Sequence, residues 1–266
     1  SFSANENQTG VGTVTASDED GNTLTYSLSG TDAAYLSVDE NTGVITFDTA
    51  PDYETQTSYS VTVTVSDGII NESQALIISI ININDNTPVI TSAASFSANE
   101  NQTGVATATY SDADGAISPY TFSLSGTDAS SLSINSSTGV IEFNNAPNYE
   151  VKNSYALNVE ISDGLFFDSQ QTTIDVIDVN DAPVMTSAAS FSAAENQTAV
   201  DTVTASDEDG NTLTYSLSGT DTSSLSIDNT SGVVTFVSEP DYETKMSYSV
   251  NVNINDGINI STASIT

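Results

Sequence analysis

The amino-acid sequence predicts an all-β protein built from three tandem β-sandwich domains. The first observation is internal repetition: the segment ININDNTPV at residues 81–89 returns as IDVNDAPV at residues 177–184, within a repeat of about 95 residues. The second observation is a period-two alternation of apolar and polar residues, which is typical of half-buried strands. The third is that turn signals such as Asp-Gly and Thr-Gly interrupt these runs every 8 to 12 residues or so, a spacing typical of sandwiches.

The repeat divides the chain of 266 residues into three domains of similar length. We predict the first at residues 1–92, the second at 93–187 and the third at 188–266. No signal peptide or membrane-spanning stretch is visible. Because the sequence opens inside one repeat and stops in the strand pattern of another, we expect it to be part of a longer protein.

Alternating residues mark the individual strands. Tyr26 and Leu28 alternate with serine in one predicted strand, and Val61, Val63 and Val65 alternate with threonine in another. Aromatic residues recur at matching places in the three copies, at Phe47, Phe143 and Phe236 and at Tyr26, Phe122 and Tyr215. This regular pattern argues against a disordered acidic segment. We assign the apolar segment Leu165-Phe166-Phe167 of the second copy to strand packing.

Charge and composition exclude several classes of function. The net charge is -34, with 36 acidic side chains and only Lys152 and Lys245 as basic ones, so we expect no binding to nucleic acid and no insertion into a membrane. Without cysteine or histidine the chain has no thiolate or imidazole ligand and no Cys or His catalytic group. Oxygen ligands remain, and these favour a hard cation, calcium before magnesium.

Acidic residues recur at fixed places in each copy. Glutamate occurs in the ENQT segments at Glu6, Glu100 and Glu195, and each copy has an Asp-x-Asp pair, at residues 18–20, 112–114 and 207–209. A single pair of this kind is explained by turn formation alone. Carboxylates gathered between two repeats would repel one another by several kcal/mol at an effective dielectric of about 20, and two or three divalent ions would remove that cost. The paired carboxylates of a glycoside hydrolase are disfavoured, because these pairs recur in loops of every copy and the chain has no tryptophan.

In order along the chain, these motifs resemble the calcium-binding signature of cadherin repeats. The matching segments are ENQ at Glu6, DYE at residues 52–54, NINDN at residues 82–86, the pair Asp112 and Asp114, and SDG at Asp163. The resemblance covers all three copies. It implies cadherin-like or immunoglobulin-like Greek-key sandwiches arranged end to end, with about three Ca²⁺ ions at each inter-repeat junction.

The resemblance also implies a role for each residue of the first junction. Glu6, Glu54 and Asp85 would bridge two ions, and Asp52 would hold the outermost one. The Asn84 side chain and the Asn86 carbonyl would face a third ion. The ligands implied at the first junction are Glu6, Asp52, Glu54, Asn82, Asn84, Asp85, Asn86, Asp112, Asp114 and Asp163. Those implied at the second are Glu100, Asn148, Glu150, Asp178, Asn180, Asp181, Ala182 through its carbonyl, Asp207, Asp209 and Asp256.

The sequence departs from the family pattern at each junction. Asn82 and Asn148 stand where the family has aspartate, so we predict weaker binding of one ion at each place. The second connector is one residue shorter before its proline, which changes the position of Ala182. Incomplete sets remain at the two ends, formed by Asp18, Asp20 and Asp67 and by Glu195, Asp241 and Glu243.

These observations predict a non-catalytic, calcium-binding stalk segment of an extracellular cell-surface adhesin, with a bacterial source. Its expected partners are calcium, the neighbouring repeats and a cell-surface protein or carbohydrate. The alternative function is a recognition module that binds carbohydrate or protein directly. Because the chain has no tryptophan, the resemblance implies the calcium-bound junctions but not the strand-swapped pairing of adhesive cadherins.

Overall fold

A computed structural model describes residues 1–115, 117 and 119–266. The chain divides into two compact units. The first comprises Ser1–Phe96, Val105–Glu142 and Ala156–Thr173, and the second comprises Ser97–Gly104, Phe143–Tyr155 and Ile174–Thr266. The division runs through the middle repeat, so each unit contains one connector together with the acidic segments on both sides of it. The boundaries at residues 92 and 187 stay a prediction.

The described residues form 24 strands and two short 3-10 helices. The strands of the first copy are β1 (Phe2–Asn5), β2 (Gly10–Thr13), β3 (Thr25–Ser29), β4 (Leu36–Val38), β5 (Val44–Phe47), β6 (Ser58–Ser66) and β7 (Asn71–Ile81). Those of the second are β8 (Val89–Ile90), β9 (Ser95–Asn99), β10 (Gly104–Thr107), β11 (Tyr110–Ser111), β12 (Thr121–Ser125), β13 (Leu132–Ile134), β14 (Val140–Phe143), β15 (Ser154–Ser162) and β16 (Phe167–Ile177). Those of the third are β17 (Val184–Met185), β18 (Ala199–Thr202), β19 (Ala205–Ser206), β20 (Thr214–Ser218), β21 (Leu225–Ile227), β22 (Val233–Phe236), β23 (Val250–Asn255) and β24 (Ile260–Ile265). The 3-10 helices are Ala33–Tyr35 and Ala129–Ser131.

The same strand orders recur along the chain. In the first copy the sheets are β1-β7-β6-β3 and β2-β5-β4, and the second copy repeats them as β9-β16-β15-β12 and β10-β14-β13. Strand β1 runs parallel to β7, whereas β6 pairs with β7 and with β3 in antiparallel fashion. The chain therefore crosses between the two sheets after β1, β2, β3 and β5, whereas β4–β5 and β6–β7 are antiparallel hairpins within one sheet. This strand order fits a Greek-key sandwich. The predicted all-β tandem sandwich fold is confirmed.

Each sandwich core follows from the alternation in the sequence. On β6 the residues Val61 and Val63 point inward at 2% and 3% exposure, and on β7 Ile78 is fully buried. Equivalent aromatic pairs close the cores, with ring centroids 4.9 Å apart for Phe47 and Tyr59. The matching separation is 5.0 Å for the pairs Phe143–Tyr155 and Phe236–Tyr248. Such edge-to-face pairs contribute about 0.5–1.5 kcal/mol each beyond the area they bury.

Two features differ from the sequence-based expectation. The assignment of Leu165 and Phe167 to strand packing is wrong, because Leu165 is 67% exposed in the turn after Asp163 and Phe167 is 72% exposed at the start of β16. In the third copy the segment equivalent to β1 is not assigned as a strand. In the first copy β1 pairs with residues 78–81 of β7, and the printed sequence has no counterpart of those residues in the third copy.

A glycine in the first copy shows how closely the turns pack against the sheets. Gly43 has a φ of +69°, and a Cβ there would lie 2.4 Å from the Val14 carbonyl oxygen. We expect Gly43→Ala to lower the free energy of unfolding by about 3 kcal/mol, since it adds a backbone clash to the strain of positive φ. Gly21→Ala is the matched control, with a φ of +78° but no atom within 4 Å, and should cost about 1 kcal/mol. Urea denaturation of the two variants measures the difference, and equal losses would contradict the clash.

Candidate calcium-binding connectors

A buried glutamate lies at the centre of each connector. In the first copy Glu6 is 2% exposed, and its two carboxylate oxygens accept the backbone N–H groups of Tyr53 and Ile83, both at 2.8 Å. The following residue, Asn7, adopts the left-handed conformation with φ 60°, which asparagine tolerates better than most residues. Glu6 thus ties the first strand to the DYE turn and to the connector.

Around Glu6 the first connector gathers the carboxylates that the sequence predicted. Oxygen atoms of Glu6, Asp52 and Glu54 lie within 4.8 Å of one another, and the same holds for Glu54, Asp85 and Asp114. Glu54 belongs to both groups, which is the arrangement expected of a residue that bridges two ions. With only two lysines in the chain for 36 acidic side chains, basic residues cannot neutralise these groups.

The connector binds to the Asp-x-Asp pair of the following repeat. Asp114 is 5% exposed and accepts the backbone N–H groups of Asp85 at 3.1 Å and of Asn86 at 2.7 Å. The Asn86 amide also donates to Asp114 at 2.7 Å. On the other side, Asn82 donates its amide to the Asp114 carbonyl oxygen at 3.1 Å. These hydrogen bonds hold the connector against the start of the second repeat.

Several buried oxygens at the connectors accept no hydrogen bond. In the part of the chain that the structure describes, seven buried side-chain polar atoms lack a hydrogen-bond partner, and four are oxygens of predicted ligands. These four are Asn82 Oδ1, Asp112 Oδ2, Asp163 Oδ2 and Asp207 Oδ2. Buried acceptors without a donor are rare in folded proteins, because each loses its hydration without replacement. Cations bound at the two connectors would satisfy these oxygens.

Asp163 illustrates this arrangement in detail. The residue is 4% exposed, and its Oδ1 accepts the backbone N–H groups of Leu165 at 2.8 Å and Phe166 at 2.7 Å. Burial alone would raise the pKa of Asp163, but these donors outweigh it and hold the pKa below its ordinary value. The Asn84 amide also favours the charged form but does not reach hydrogen-bond geometry with Oδ2. A charged, inward-facing carboxylate with one free oxygen suits a metal ligand.

The second connector repeats this geometry. Glu100 is 2% exposed and accepts the backbone N–H groups of Tyr149 and Val179, both at 2.8 Å. Oxygen atoms of Glu100, Glu150 and Asp178 lie within 4.8 Å of one another. Asp178 thus supplies a carboxylate where the first connector has the neutral Asn82.

Contacts with the third repeat complete the second connector. Asp209 accepts the Asp181 backbone N–H at 2.7 Å, and Asn180 donates its amide to Asp256 at 2.9 Å. Asp207 Oδ1 accepts the Asn211 backbone N–H at 3.1 Å and leaves Oδ2 without a partner. Ala182 is exposed directly after Asp181.

Sequence reasoning missed Glu208, which lies between Asp207 and Asp209. Oxygen atoms of Glu208, Glu150 and Asp181 lie within 4.8 Å of one another. The signal was present as DED in place of the DAD at residues 112–114, but the middle residue of an Asp-x-Asp pair was treated as free.

The incomplete sets at the two ends differ from each other. Glu195, Asp241 and Glu243 have oxygens within 4.8 Å of one another, but all three residues are exposed. Glu195 accepts only the Tyr242 N–H at 3.0 Å, since the printed third copy contains no counterpart of Ile83. In the described residues the set of Asp18, Asp20 and Asp67 forms no comparable group.

Mutual repulsion shifts the protonation equilibria of the first connector. Desolvation and the nearby Glu6 raise the pKa of Glu54. The Asn7 amide lowers the pKa of Asp85, but desolvation and repulsion from Glu6 and Asp114 outweigh it, so the net shift is upward. Upward shifts of this kind mean that the carboxylates bind protons more readily in the folded chain than in the unfolded one.

In the second connector the pKa values of Asp178 and Asp181 are raised as well. Desolvation is the first cause of the raised pKa of Asp178, followed by hydrogen bonding and repulsion from Asp209. Desolvation also raises the pKa of Asp181, and the Asn101 amide offsets only part of this. Both connectors therefore hold negative charge that the metal-free fold accommodates at a cost.

These pKa shifts predict that the free energy of unfolding changes with pH in opposite directions with and without calcium. In chelator we expect the free energy of unfolding to rise as the pH falls toward the ordinary carboxyl pKa values, because groups with a raised folded pKa take up protons first in the folded state. The relevant window lies above the ordinary values of 4.5 for Glu54 and 3.8 for Asp85. With saturating Ca²⁺ the same acidification should destabilise the chain, since protons compete with the metal.

Thermal unfolding, followed by circular dichroism at a series of pH values, measures how stability changes with pH in chelator and in Ca²⁺. The variant Glu54→Gln should reduce both pH dependences. A calcium-free chain that loses stability as the pH falls from neutrality toward 4.5, the ordinary pKa of Glu54, would contradict the raised pKa values. Asp163 acts in the opposite direction, because its lowered pKa contributes stability that is lost only as the pH falls below 3.8.

The fold and the connector geometry define a class of protein: tandem β-sandwich repeats joined by acidic, cadherin-type connectors. A family model described as Cadherin domain matches residues 1–84, and one described as Bacterial Ig domain matches residues 180–266. The crystal structure of mouse cadherin-23 EC22-24 is similar at a TM-score of 0.58 and 26% identity, over 99% of this chain and 92% of that chain. The chain is thus built of cadherin-like repeats.

Two human proteins illustrate the similarity in sequence. Cadherin-related family member 2 is 37% identical over 90 residues, which is 34% of this chain and 7% of that protein. Protocadherin Fat 1 is 26% identical over 269 residues, which is 92% of this chain and 6% of that protein. The chain therefore spans only a small part of the length of these relatives.

Proposed function

We propose that this chain is a calcium-binding segment of an extracellular adhesin stalk, in which Ca²⁺ at each connector fixes neighbouring repeats relative to each other. The observation that carries the proposal is the set of four buried, unpartnered oxygens on predicted ligands of the two connectors. They lie among groups of carboxylates whose oxygens are within 4.8 Å of one another. Every available donor atom is an oxygen, which suits a hard cation with six to eight ligands.

The residues that would hold calcium at the first connector come from three segments. Glu6, Asp52 and Glu54 lie in the first repeat, Asn82 to Asn86 in the connector, and Asp112, Asp114 and Asp163 in the second repeat. When bound, the cation supplies positive charge that relieves the repulsion among these groups. Because the ligand set is complete only when both repeats take part, binding stabilises their arrangement by mass action.

A bacterial cell surface is the proposed location. The match of residues 180–266 to the Bacterial Ig domain model supports this source, and the similarity of the whole chain to cadherin repeats supports an extracellular, adhesive setting. None of the described helices has the length and apolar character needed to cross a lipid bilayer. The role proposed is mechanical and non-catalytic, with neighbouring repeats as the direct protein partners.

Calorimetric titration of the whole chain with Ca²⁺ tests the proposal. We expect saturable binding at about three sites per connector, with dissociation constants of about 10⁻⁴ to 10⁻³ M, as in extracellular calcium modules. Mg²⁺ should bind more weakly, because it demands a stricter octahedral geometry and sheds water reluctantly. Absence of saturable Ca²⁺ uptake would overturn the proposal, and equal binding of Mg²⁺ would overturn the choice of calcium.

A further inference from the structure

At two positions near the connectors, a carboxylate and an uncharged residue are interchanged between the first connector and the second. The first connector has Asp52 in its DYE turn and Ala113 between the aspartates of the following Asp-x-Asp pair. The second has Asn148 in the turn and Glu208 between the aspartates. The carboxylate lost from the turn is thus matched by one gained on the next repeat.

The structure brings the two exchanged residues of the second connector into contact. The Asn148 amide nitrogen donates a hydrogen bond to Glu208 Oε2. The orientation of this amide is fixed from its other side, because Asn148 Oδ1 accepts the Val151 backbone N–H at 2.9 Å. Asn148 therefore directs a donor, not an oxygen, toward Glu208, and it holds that side chain beside Glu150 and Asp181.

We propose that Glu208 is a calcium ligand of the second connector, replacing the carboxylate that Asn148 lacks, and that Asn148 is a positioning residue for it. The inference rests on the proposed calcium-binding function. Its geometry is the group formed by oxygens of Glu150, Asp181 and Glu208 within 4.8 Å of one another. On the same loop, Asp207 Oδ2 is a buried oxygen that no hydrogen-bond donor of the described residues reaches.

Each connector has an acidic group that spans both of its repeats. At the first connector Glu54 precedes the connector, Asp85 lies in it and Asp114 follows it. At the second, Glu150 precedes the connector, Asp181 lies in it and Glu208 follows it. A cation bound by this second group must contact both repeats, so its affinity depends directly on their alignment.

Calcium titration of the full chain by competition with a chromophoric chelator tests this role. We expect Glu208→Gln to weaken binding at one or more sites by about tenfold or more, since affinity follows the number of charged ligands. Glu19→Gln is the matched control: it occupies the same place in the first repeat, where the printed sequence contains no preceding connector, and should leave every site unchanged. Circular dichroism verifies that both variants fold.

The double variant Asn148→Asp, Glu208→Gln distinguishes a ligand from a general charge effect. At these two positions it recreates the first connector, with a carboxylate in the turn and none between the aspartates, and it should recover affinity to within about threefold of the parent chain. Glu208→Gln binding like the parent chain, or a double variant no better than Glu208→Gln, would overturn the role of Glu208. Both results leave the proposed function standing, whereas a parent chain that binds no Ca²⁺ overturns the function itself.

Discussion

Asp85→Ala is expected to weaken binding of two of the ions proposed for the first connector and to leave the second connector unchanged. Asp85 shares a group with Glu54 and Asp114, and its carboxylate also accepts the Asn7 amide. Removing this carboxylate takes away a charged ligand that the proposal assigns to two ions. We expect the affinity of those ions to fall by about 100-fold, at the upper end of losses seen for residues around metal sites.

Asp181→Ala is the reciprocal variant, and each substitution serves as the control for the other. Asp181 occupies the same position in the second connector, where it accepts the Asn101 amide at 2.9 Å. Calorimetric titration of each variant should show the loss of two of the about three sites at the substituted connector, with the remaining sites at parental affinity. Loss of binding at both connectors from a single substitution would contradict sites built locally from the two repeats that flank each connector.

Much of the fold could be predicted from the sequence, because it depends on features that repeat. The inward positions of Val61 and Val63 follow from alternation alone, and the burial of Phe47 follows from its recurrence as Phe143 and Phe236. A sandwich core needs apolar residues at every second position of a strand, so the pattern and the structure coincide.

The exposed apolar turn of the second copy could not be predicted in the same way. Leu165 lies in the turn after Gly164, which has a φ of 94°, and Phe167 is the first residue of β16. Their side chains are 67% and 72% exposed. Alternation describes strands and contains no information on where a turn points its side chains.

In the candidate sites, too, residues of the repeated motifs could be predicted, whereas a residue particular to one connector could not. Glu54 and Glu150 lie in two acidic groups each, as expected from the resemblance to cadherin repeats. The role proposed for Glu208 could not be predicted from the DED segment alone, because it depends on a contact with Asn148, which is 60 residues distant in the sequence. Such compensation between two substitutions becomes visible only when the side chains are placed in space.

Small-angle X-ray scattering of the whole chain, first in saturating Ca²⁺ and then in excess chelator, tests the central claim most directly. Bound cations should fix each connector, because they neutralise carboxylates contributed from both of its sides. We therefore expect the maximum dimension to be larger in Ca²⁺, and to decrease in chelator as repulsion and chain entropy loosen the connectors. Mg²⁺ at the same concentration should resemble the chelated state. A maximum dimension that is the same with and without Ca²⁺ would contradict calcium-dependent stiffening.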